Sequence, residues 1–195
     1  MAGYTASAYD RFMSPLERLG LRAWRRELLA QVKPPVLEVG VGTGASLRWY
    51  NERSPLVVID REGEMARSAL TRAISLGQSV GVGQMDVQYL AFPDAVFASV
   101  VTSLVFCSVA DPLRGLRQIR RVLRPEGRLY MLEHVRPDHP LLGRLVDWIN
   151  LPWHALSQEC NLNRRTVDNV VAAGFDLVSV QRHFLGVVNL IVAQV

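Results

Sequence analysis

Short apolar runs rich in β-branched residues alternate with longer amphipathic runs from about Pro35 onward, and this alternation constrains the fold more than any other feature. Apolar strands separated by helices indicate a parallel sheet that helices cover on both faces. The last two strands lie too close together for a crossover helix, so we expect them to pair as an antiparallel hairpin. The predicted strands are residues 36–39, 56–59, 79–85, 98–105, 128–134, 175–181 and 187–193, and the predicted helices lie near 44–52, 62–77, 111–123 and 163–173.

Two segments lie outside this alternation. Residues 15–32 place leucines among arginines at helical spacing, which predicts an amphipathic helix with a basic face. Such a helix can lie on an anionic membrane or pack on the domain with its arginines in solvent, and the sequence leaves both open. We therefore expect an N-terminal helical segment over residues 1–34 and a main domain over 35–195, with a cap insertion near 135–162.

Composition and charge exclude several classes of protein. With 49% hydrophobic and 21% charged residues, the chain has enough apolar mass for a full core and is not a disordered protein. Two cysteines cannot form a disulfide framework, which favours a reducing compartment. The first residues do not resemble a signal peptide, and the longest uncharged run, 96–110, is short for a membrane span. We expect a cytoplasmic protein.

The net charge of +4 is weak evidence about partners. It suits nucleic acid, anionic lipid or an anionic substrate, and it equally suits a mildly basic enzyme. The arginines are dispersed and are not interleaved with aromatic residues, so binding of nucleic acid is disfavoured. No feature of the sequence indicates an obligate protein partner.

The sharpest local motif is the glycine-rich stretch 38–44, Glu-Val-Gly-Val-Gly-Thr-Gly, which follows the first strand and is expected to open a helix. Glycines there let the backbone turn sharply and let a ligand approach closely. Asp60 ends the second strand, 20 residues beyond Gly40, where a carboxylate can accept both hydroxyls of a ribose. The sequence therefore predicts an adenosine-containing ligand at the carboxyl ends of the first two strands.

The glycine spacing alone also fits a dinucleotide such as NAD. Glu38 points a carboxylate into the loop, which suits a cationic amino-acid moiety and repels a pyrophosphate. The main domain uses nearly the whole chain and leaves no separate substrate domain, and residues 84–86 place an acid where an adenine amino group can be bound. These observations favour S-adenosylmethionine over NAD.

With these motifs, the chain resembles a class I S-adenosylmethionine-dependent methyltransferase over essentially its full length. Residues 38–44 resemble the nucleotide loop of that family, Asp60 its ribose-binding acid, Asp86 the acid at the adenine amino group, and Met85 a residue beside the ring. The resemblance implies a Rossmann-like seven-stranded sheet, S-adenosylmethionine as cofactor and S-adenosylhomocysteine as product. The expected cofactor-binding residues are Glu38, Gly40, Gly42, Thr43, Gly44, Asp60, Arg61, Met65, Met85, Asp86, Val87, Ser103 and Tyr9.

Further segments extend the resemblance. Residues 103–109 resemble the family segment that faces the transferring methyl group, and residues 121–127 resemble the turn before the fifth strand, with Glu126 in place of a usual glycine. Ala98 stands where the family commonly has an acid. Tyr4 and the pair Tyr9-Asp10 resemble an N-terminal element that closes over the cofactor.

Four segments resemble small methyltransferases that act on lipophilic acceptors: residues 104–109, 133–135, 151–154 and 160–164. That group includes phospholipid N-methyltransferases, quinone-pathway enzymes and membrane-associated alkyl-thiol methyltransferases, and the last two segments look most like the alkyl-thiol enzymes. The resemblance implies a small-molecule or lipid substrate. A nucleic-acid methyltransferase and an NAD-dependent oxidoreductase remain as alternatives.

Two histidines are the candidates for a general base. His134 ends the fifth strand, where open α/β sheets place ligands, and His154 lies in the cap. Each can equally be a structural, hydrogen-bonded histidine, and a thiol acceptor needs little help from a base. The cap aromatics Trp148 and Trp153 either roof an apolar acceptor pocket or form ordinary core. No cysteine–histidine run has zinc-binding spacing, so no metal is expected.

Overall fold

A seven-stranded sheet organises the molecule. The structure is a computed structural model that describes residues 6–51, 54–157 and 160–195. The strand order is β3-β2-β1-β4-β5-β7-β6, with β1 to β5 parallel and β7 antiparallel to both β5 and β6. This order confirms the mostly parallel Rossmann-like sheet with a reversed C-terminal hairpin. The strands are β1 (Val36–Val39), β2 (Leu56–Asp60), β3 (Gly81–Gln84), β4 (Phe97–Ser103), β5 (Leu123–His134), β6 (Asp176–His183) and β7 (Val188–Gln194).

Helices cover both faces of the sheet, as the apolar strands required. The helices are α1 (Ala6–Leu16), α2 (Arg22–Leu29), α3 (Gly63–Ser75), α4 (Pro112–Val122), α5 (Pro140–Ser157) and α6 (Thr166–Ala172). One buried cluster joins strand residues such as Leu37 and Leu129 to Leu116 of α4. A second, on the opposite face, joins Val58 to Leu28 of α2. Neighbouring strand residues therefore belong to opposite clusters, which is why the strands read as continuous apolar runs.

The helix predicted near 44–52 is wrong. The chain instead makes turns and one short 3₁₀ segment, Leu47–Trp49, and Tyr50 is already extended with ψ of 148°. Leu47 and Tyr50 are buried in the second cluster, so the apolar spacing that suggested a helix reflects the packing of a single turn. The hydroxyl of Ser46 donates to Glu38, which fixes this turn beneath the glycine loop.

The N-terminal segment is not one helix over 15–32. Helices α1 and α2 are joined by a π-helical stretch, Glu17–Leu21, in which Gly20 has a non-helical φ of 146°. Leucines of this segment pack into the second cluster, and the hydroxyl of Tyr130 donates to the carbonyl of Gln31 at 3.0 Å. The segment therefore packs on the sheet. The expectation that its arginines are solvated fails at Arg25, which is 6% exposed.

The cap predicted near 135–162 is built mainly of α5. The guanidinium of Arg136 lies 2.9 Å from the carboxylate of Asp147, and Asn150 accepts a hydrogen bond from the backbone of Leu162 at 2.7 Å. These contacts tie the helix to the chain on either side of it. None of the helices in the described ranges is long and apolar enough to cross a membrane.

Candidate active site

Two cavities meet where β1, β2 and β4 end. One has a volume of about 370 Å³ and the other about 190 Å³, and Tyr9, Gly40, Gly42 and Ser103 line both. The sheet order reverses here, because β1 pairs with β2 on one side and β4 on the other. Open α/β sheets bind ligands at such a switch point, outside the carboxyl ends of the strands. The cavities therefore lie where the sequence predicted an adenosine-containing ligand.

The glycine loop forms the boundary between the cavities. Gly40 has φ of 68°, and a Cβ there would lie 2.3 Å from Cγ2 of Val105, so the position admits no side chain. Gly42 has φ of 55°, and a Cβ there would meet nothing within 4 Å, because it would project into open space. Gly44 lines neither cavity among the described residues. A Cβ there would lie 2.7 Å from Leu47, so the missing side chain leaves room for Leu47 to pack.

Asp60 is held rigidly at the end of β2. Its Oδ2 accepts a hydrogen bond from the backbone N–H of Gly42 at 2.8 Å, and its Oδ1 accepts one from Glu62 at 2.9 Å. Burial raises the pKa of Asp60 above its usual value, and the two backbone donors oppose that rise. The carboxylate lines the smaller cavity, which is the arrangement expected of an acceptor for ribose hydroxyls.

The smaller cavity gathers most of the residues that the sequence assigned to the nucleoside. The carboxylate of Asp86 lines it and also accepts hydrogen bonds from the backbone and the side-chain amide of Gln88, which fix its orientation. Leu104, Val105 and Val109 give the cavity an apolar wall on the β4 side. The other predicted cofactor residues in its lining are Arg61, Met65, Met85 and Val87.

The larger cavity contains a buried acid. Glu38 accepts a hydrogen bond from the hydroxyl of Ser46 through Oε1, and the buried hydroxyl of Tyr50 also interacts with the carboxylate. Burial raises the pKa of Glu38 to about 7, against the opposing effects of the Ser46 hydroxyl, the Arg25 charge and the Tyr50 hydroxyl. Thr43 lines the same cavity and donates to Asp10.

Arg25 is a residue of the larger cavity that the sequence did not assign to the site. Its guanidinium donates to Glu17 at 2.6 Å and to the hydroxyl of Ser103 at 3.3 Å, and its Nε is buried with no partner in the described part of the chain. The sequence does contain a signal that Arg25 is buried, because it lies on the same helical face as the buried leucines Leu21, Leu28 and Leu29. An arginine at an apolar position of an amphipathic helix is a candidate binding residue.

The cavity with Glu38 and Arg25 fits the amino-acid end of S-adenosylmethionine. It offers a buried carboxylate that only neutral hydroxyl groups contact and one guanidinium N–H with no partner in the described part of the chain. An α-ammonium would neutralise the first, and an α-carboxylate would pair with the second. Tyr9, which lines both cavities, has its pKa raised to about 12 chiefly by burial. Tyr4 lies outside the described residues.

Glu133 is buried, and it is not among the described residues that line the two cavities. It is 0% exposed and accepts hydrogen bonds from Thr102 at 2.8 Å and from the backbone N–H groups of Val105 and Phe106 at 3.0 and 3.2 Å. Burial raises its pKa to about 7. Glu133 therefore positions the segment after β4 that forms the apolar wall.

The two candidate bases, His134 and His154, have different surroundings. Nε2 of His134 lies 3.0 Å from the sulfur of Cys160, and burial lowers the pKa of His134 to about 4. His154 is exposed on α5. Neither is among the described residues that line the two cavities, and their role as bases stays a prediction. Trp148 is 75% exposed and is therefore not part of the core.

Comparison with known proteins agrees with this site. A family model described as a methyltransferase domain matches residues 37–131. Thiol S-methyltransferase TMT1B of Mus musculus is 28% identical over 93% of this chain and 75% of its own length. Phosphatidylethanolamine N-methyltransferase of Cereibacter sphaeroides is 36% identical over 62% of this chain and 63% of its own length. The solved structure of a SAM-dependent methyltransferase from Aquifex aeolicus superposes with a TM-score of 0.68 at 19% identity, covering 98% of this chain and 99% of its own.

The fold and the cavities fit an enzyme that binds S-adenosylmethionine at the edge of a seven-stranded sheet. Together with the matches over the nucleotide loop and the following strands, they support a class I S-adenosylmethionine-dependent methyltransferase. The enzyme class and the cofactor predicted from the sequence are thereby confirmed. The comparisons support neither an NAD-dependent oxidoreductase nor a nucleic-acid methyltransferase.

Replacing Gly42 by alanine is expected to weaken binding of S-adenosylhomocysteine by tenfold or more, because the new methyl group would enter the space between the two cavities. Gly77→Ala is the matched control: φ there is 69°, nothing lies within 4 Å, and Gly77 is not among the described residues lining either cavity. Both substitutions carry a backbone strain of about 1–2 kcal/mol, measurable by urea unfolding. Equal affinity of the two variants in calorimetric titration would contradict the site.

Proposed function

We propose that the chain transfers the methyl group of S-adenosylmethionine to a small lipophilic acceptor, with an alkyl thiol as the first candidate. The observation that carries the proposal is that the cofactor cavity has an apolar side beside Ser103, formed by Leu104, Val105 and Val109, which an acceptor that reaches the methyl group would contact. That wall follows β4, in the segment that resembles the part of the family facing the methyl group. The relatives described above, which include a thiol and a phospholipid methyltransferase, support the same class of acceptor.

The residues of the chain act mainly by holding the donor in place. Asp60 would accept hydrogen bonds from the ribose hydroxyls, Glu38 would face the ammonium of the methionine moiety, and Arg25 would face its carboxylate. When bound, the cofactor supplies a methyl group on a positively charged sulfur, which is already activated for transfer. Alignment of donor and acceptor is therefore the main task of the protein, and well-oriented reactions reach effective molarities of about 10⁵–10⁸ M.

An alkyl thiol suits a site in which no histidine is among the described residues that line the cavities. A thiol with a pKa of about 8.5 is already a few per cent thiolate at neutral pH, so it can react without a strong base. The low pKa of His134 keeps that imidazole neutral, and also makes it a weak base. An amine or hydroxyl acceptor would have greater need of His134 or His154, which stay candidates for that role.

A phospholipid amine is the second candidate, because the larger cavity is rich in arginine. Arg18, Arg22 and Arg48 line its outer part, and guanidinium groups bind phosphate in a bidentate geometry. An ethanolamine headgroup whose phosphate lay against these arginines would bring its amine toward Ser103. This arrangement accounts for the arginines, whereas a simple alkyl thiol does not use them.

A screen of labelled-methyl transfer separates the acceptors. We expect alkyl thiols to accept the methyl group at least tenfold faster than phosphatidylethanolamine vesicles or quinone precursors, since only the thiol reacts without a base at the cavity. Gly42→Ala serves as the cofactor-defective control and should lower transfer to every acceptor alike. Preferential transfer to phosphatidylethanolamine, lost on Arg22→Met, would reject the thiol and support the second candidate.

Cofactor affinity is expected to fall as the pH decreases through 7. The pKa of Glu38 is raised from 4.5 to about 7, so the carboxylate is charged at pH 8 and mostly neutral at pH 6. Since the charged form attracts the ammonium, S-adenosylhomocysteine should bind about tenfold more weakly at pH 6 than at pH 8. Glu38→Gln should bind weakly at both pH values.

Glu133→Gln is the matched control for that titration. Glu133 is buried and has a pKa raised to about 7, like Glu38, but it holds the segment after β4 and does not face the ammonium. Its replacement should leave the tenfold dependence of affinity on pH in place. A pH dependence that survives in Glu38→Gln and disappears in Glu133→Gln would show that the wrong carboxylate has been assigned.

We also propose that the chain is a cytoplasmic protein whose surface over residues 15–32 contacts anionic membrane, which would supply a lipophilic acceptor. Leu16 and Leu19 are exposed beside arginines of that segment, and the same segment lines the larger cavity through Glu17. A second exposed apolar stripe lies on α5, where Leu141, Leu145 and Trp148 share one helical face.

Sedimentation with anionic vesicles tests this contact. The chain should bind vesicles that contain phosphatidylserine, and the double substitution Leu16→Ser with Leu19→Ser should lower binding several-fold. Ile74→Ser is the matched control, because Ile74 is 70% exposed on α3, outside the proposed surface. Equal loss of binding in the control, or no binding by the unaltered chain, would exclude the membrane surface.

A further inference from the structure

Cys107, His134 and Cys160 form a cluster that methyl transfer to a thiol does not use. One ligand atom of each, the two sulfurs and a ring nitrogen, lies within 4.8 Å of the others. The His134 Nε2 is 3.0 Å from the Cys160 sulfur, and neither cysteine forms a disulfide. Among the described residues, this is the group of three side chains placed to share one metal ion.

The three donors come from segments that are distant in the sequence and adjacent in the fold. Cys107 follows β4, His134 ends β5, and Cys160 follows α5. Both the backbone N–H and the side-chain amide of Asn161 donate to the carbonyl of Cys107, at 2.9 and 3.1 Å. These two hydrogen bonds hold the segment after α5 against the segment after β4. They therefore keep Cys107 and Cys160 close together.

The chemistry of the donors specifies the ion. Two sulfurs and one imidazole are borderline-soft ligands, which suit Zn²⁺ and disfavour Mg²⁺ or Ca²⁺. Zinc–sulfur bonds of about 2.3 Å and zinc–nitrogen bonds of about 2.0 Å place tetrahedral ligand atoms about 3.5–3.8 Å apart. The three ligand atoms, which lie within 4.8 Å of one another, would reach that spacing if each side chain moved by about 1 Å.

We propose that Cys107, His134 and Cys160 bind one Zn²⁺ ion. Three protein ligands leave the fourth tetrahedral position for water or another small ligand. The ion would join the end of β5 and the segment after β4 to the chain after α5. It would therefore stabilise the segment that supplies Leu104, Val105 and Val109 to the cofactor cavity. The proposal is independent of the acceptor, because it concerns residues that line neither cavity in the described chain.

The site is tested by metal titration of the full chain, reduced with a phosphine and freed of metal with a chelator. Co²⁺ added as a probe should bind one ion per chain and give sulfur-to-cobalt charge-transfer absorption together with the visible bands of a tetrahedral site. Zn²⁺ should then displace the cobalt and raise the thermal unfolding temperature. Binding of S-adenosylhomocysteine, followed in parallel, reports separately on the cofactor site.

Cys160→Ser and His134→Gln should each weaken Zn²⁺ binding at least tenfold, and Cys160→Ser should diminish the charge-transfer band. Cys160 is partly exposed, so its replacement spares the core if Cys107→Ser fails to fold. His139→Gln is the matched control, because His139 is exposed beside the cap and outside the cluster; it should bind Zn²⁺ normally. No bound ion in the reduced chain, cobalt without sulfur absorption, or equal loss in His139→Gln would overturn the proposal.

Discussion

The hydrogen bond from the Gly42 N–H to the Asp60 carboxylate is the contact on which the site depends. It joins the loop after β1 to the end of β2 at 2.8 Å, and thereby fixes the border between the two cavities. The bond requires Gly42 in a left-handed conformation and Gly40 pressed against Val105, where no Cβ fits. A carboxylate that accepts backbone donors in this way is oriented before any ligand arrives, so its remaining acceptor capacity is directed at the ribose position.

Two buried glutamates perform different tasks at the same edge of the sheet. Glu133 has its oxygens occupied by Thr102, Val105 and Phe106, so it stabilises the segment after β4. Glu38 is contacted by the hydroxyls of Ser46 and Tyr50 and lines the same cavity as Arg25, whose Nε is buried with no partner in the described chain. A buried donor without a partner costs about 1–3 kcal/mol, which a ligand carboxylate can offset. Backbone donors occupy Glu133 and make it a positioning acid, whereas Glu38 lines the cavity and is placed to face a ligand cation.

The sequence was sufficient for the sheet, because apolar strand runs and helical gaps follow local periodicity. It also placed Asp60 and the glycine loop at the cavities, because their positions depend on spacing along the chain. It failed where tertiary packing decides. The apolar residues near Leu47 mark one packed turn and not a helix, and Arg25 becomes a cavity residue only when α2 lies on the sheet. The cluster around Cys160 combines donors from three remote segments, so no local spacing could reveal it.

The most direct test of the account is calorimetric titration of the folded chain with S-adenosylhomocysteine and, separately, with NAD. The account predicts one S-adenosylhomocysteine per chain, no measurable heat from NAD, and at least about tenfold weaker binding in Asp60→Asn, which removes a charged hydrogen-bond acceptor. Absence of binding at millimolar S-adenosylhomocysteine, or tighter binding of NAD, would contradict it.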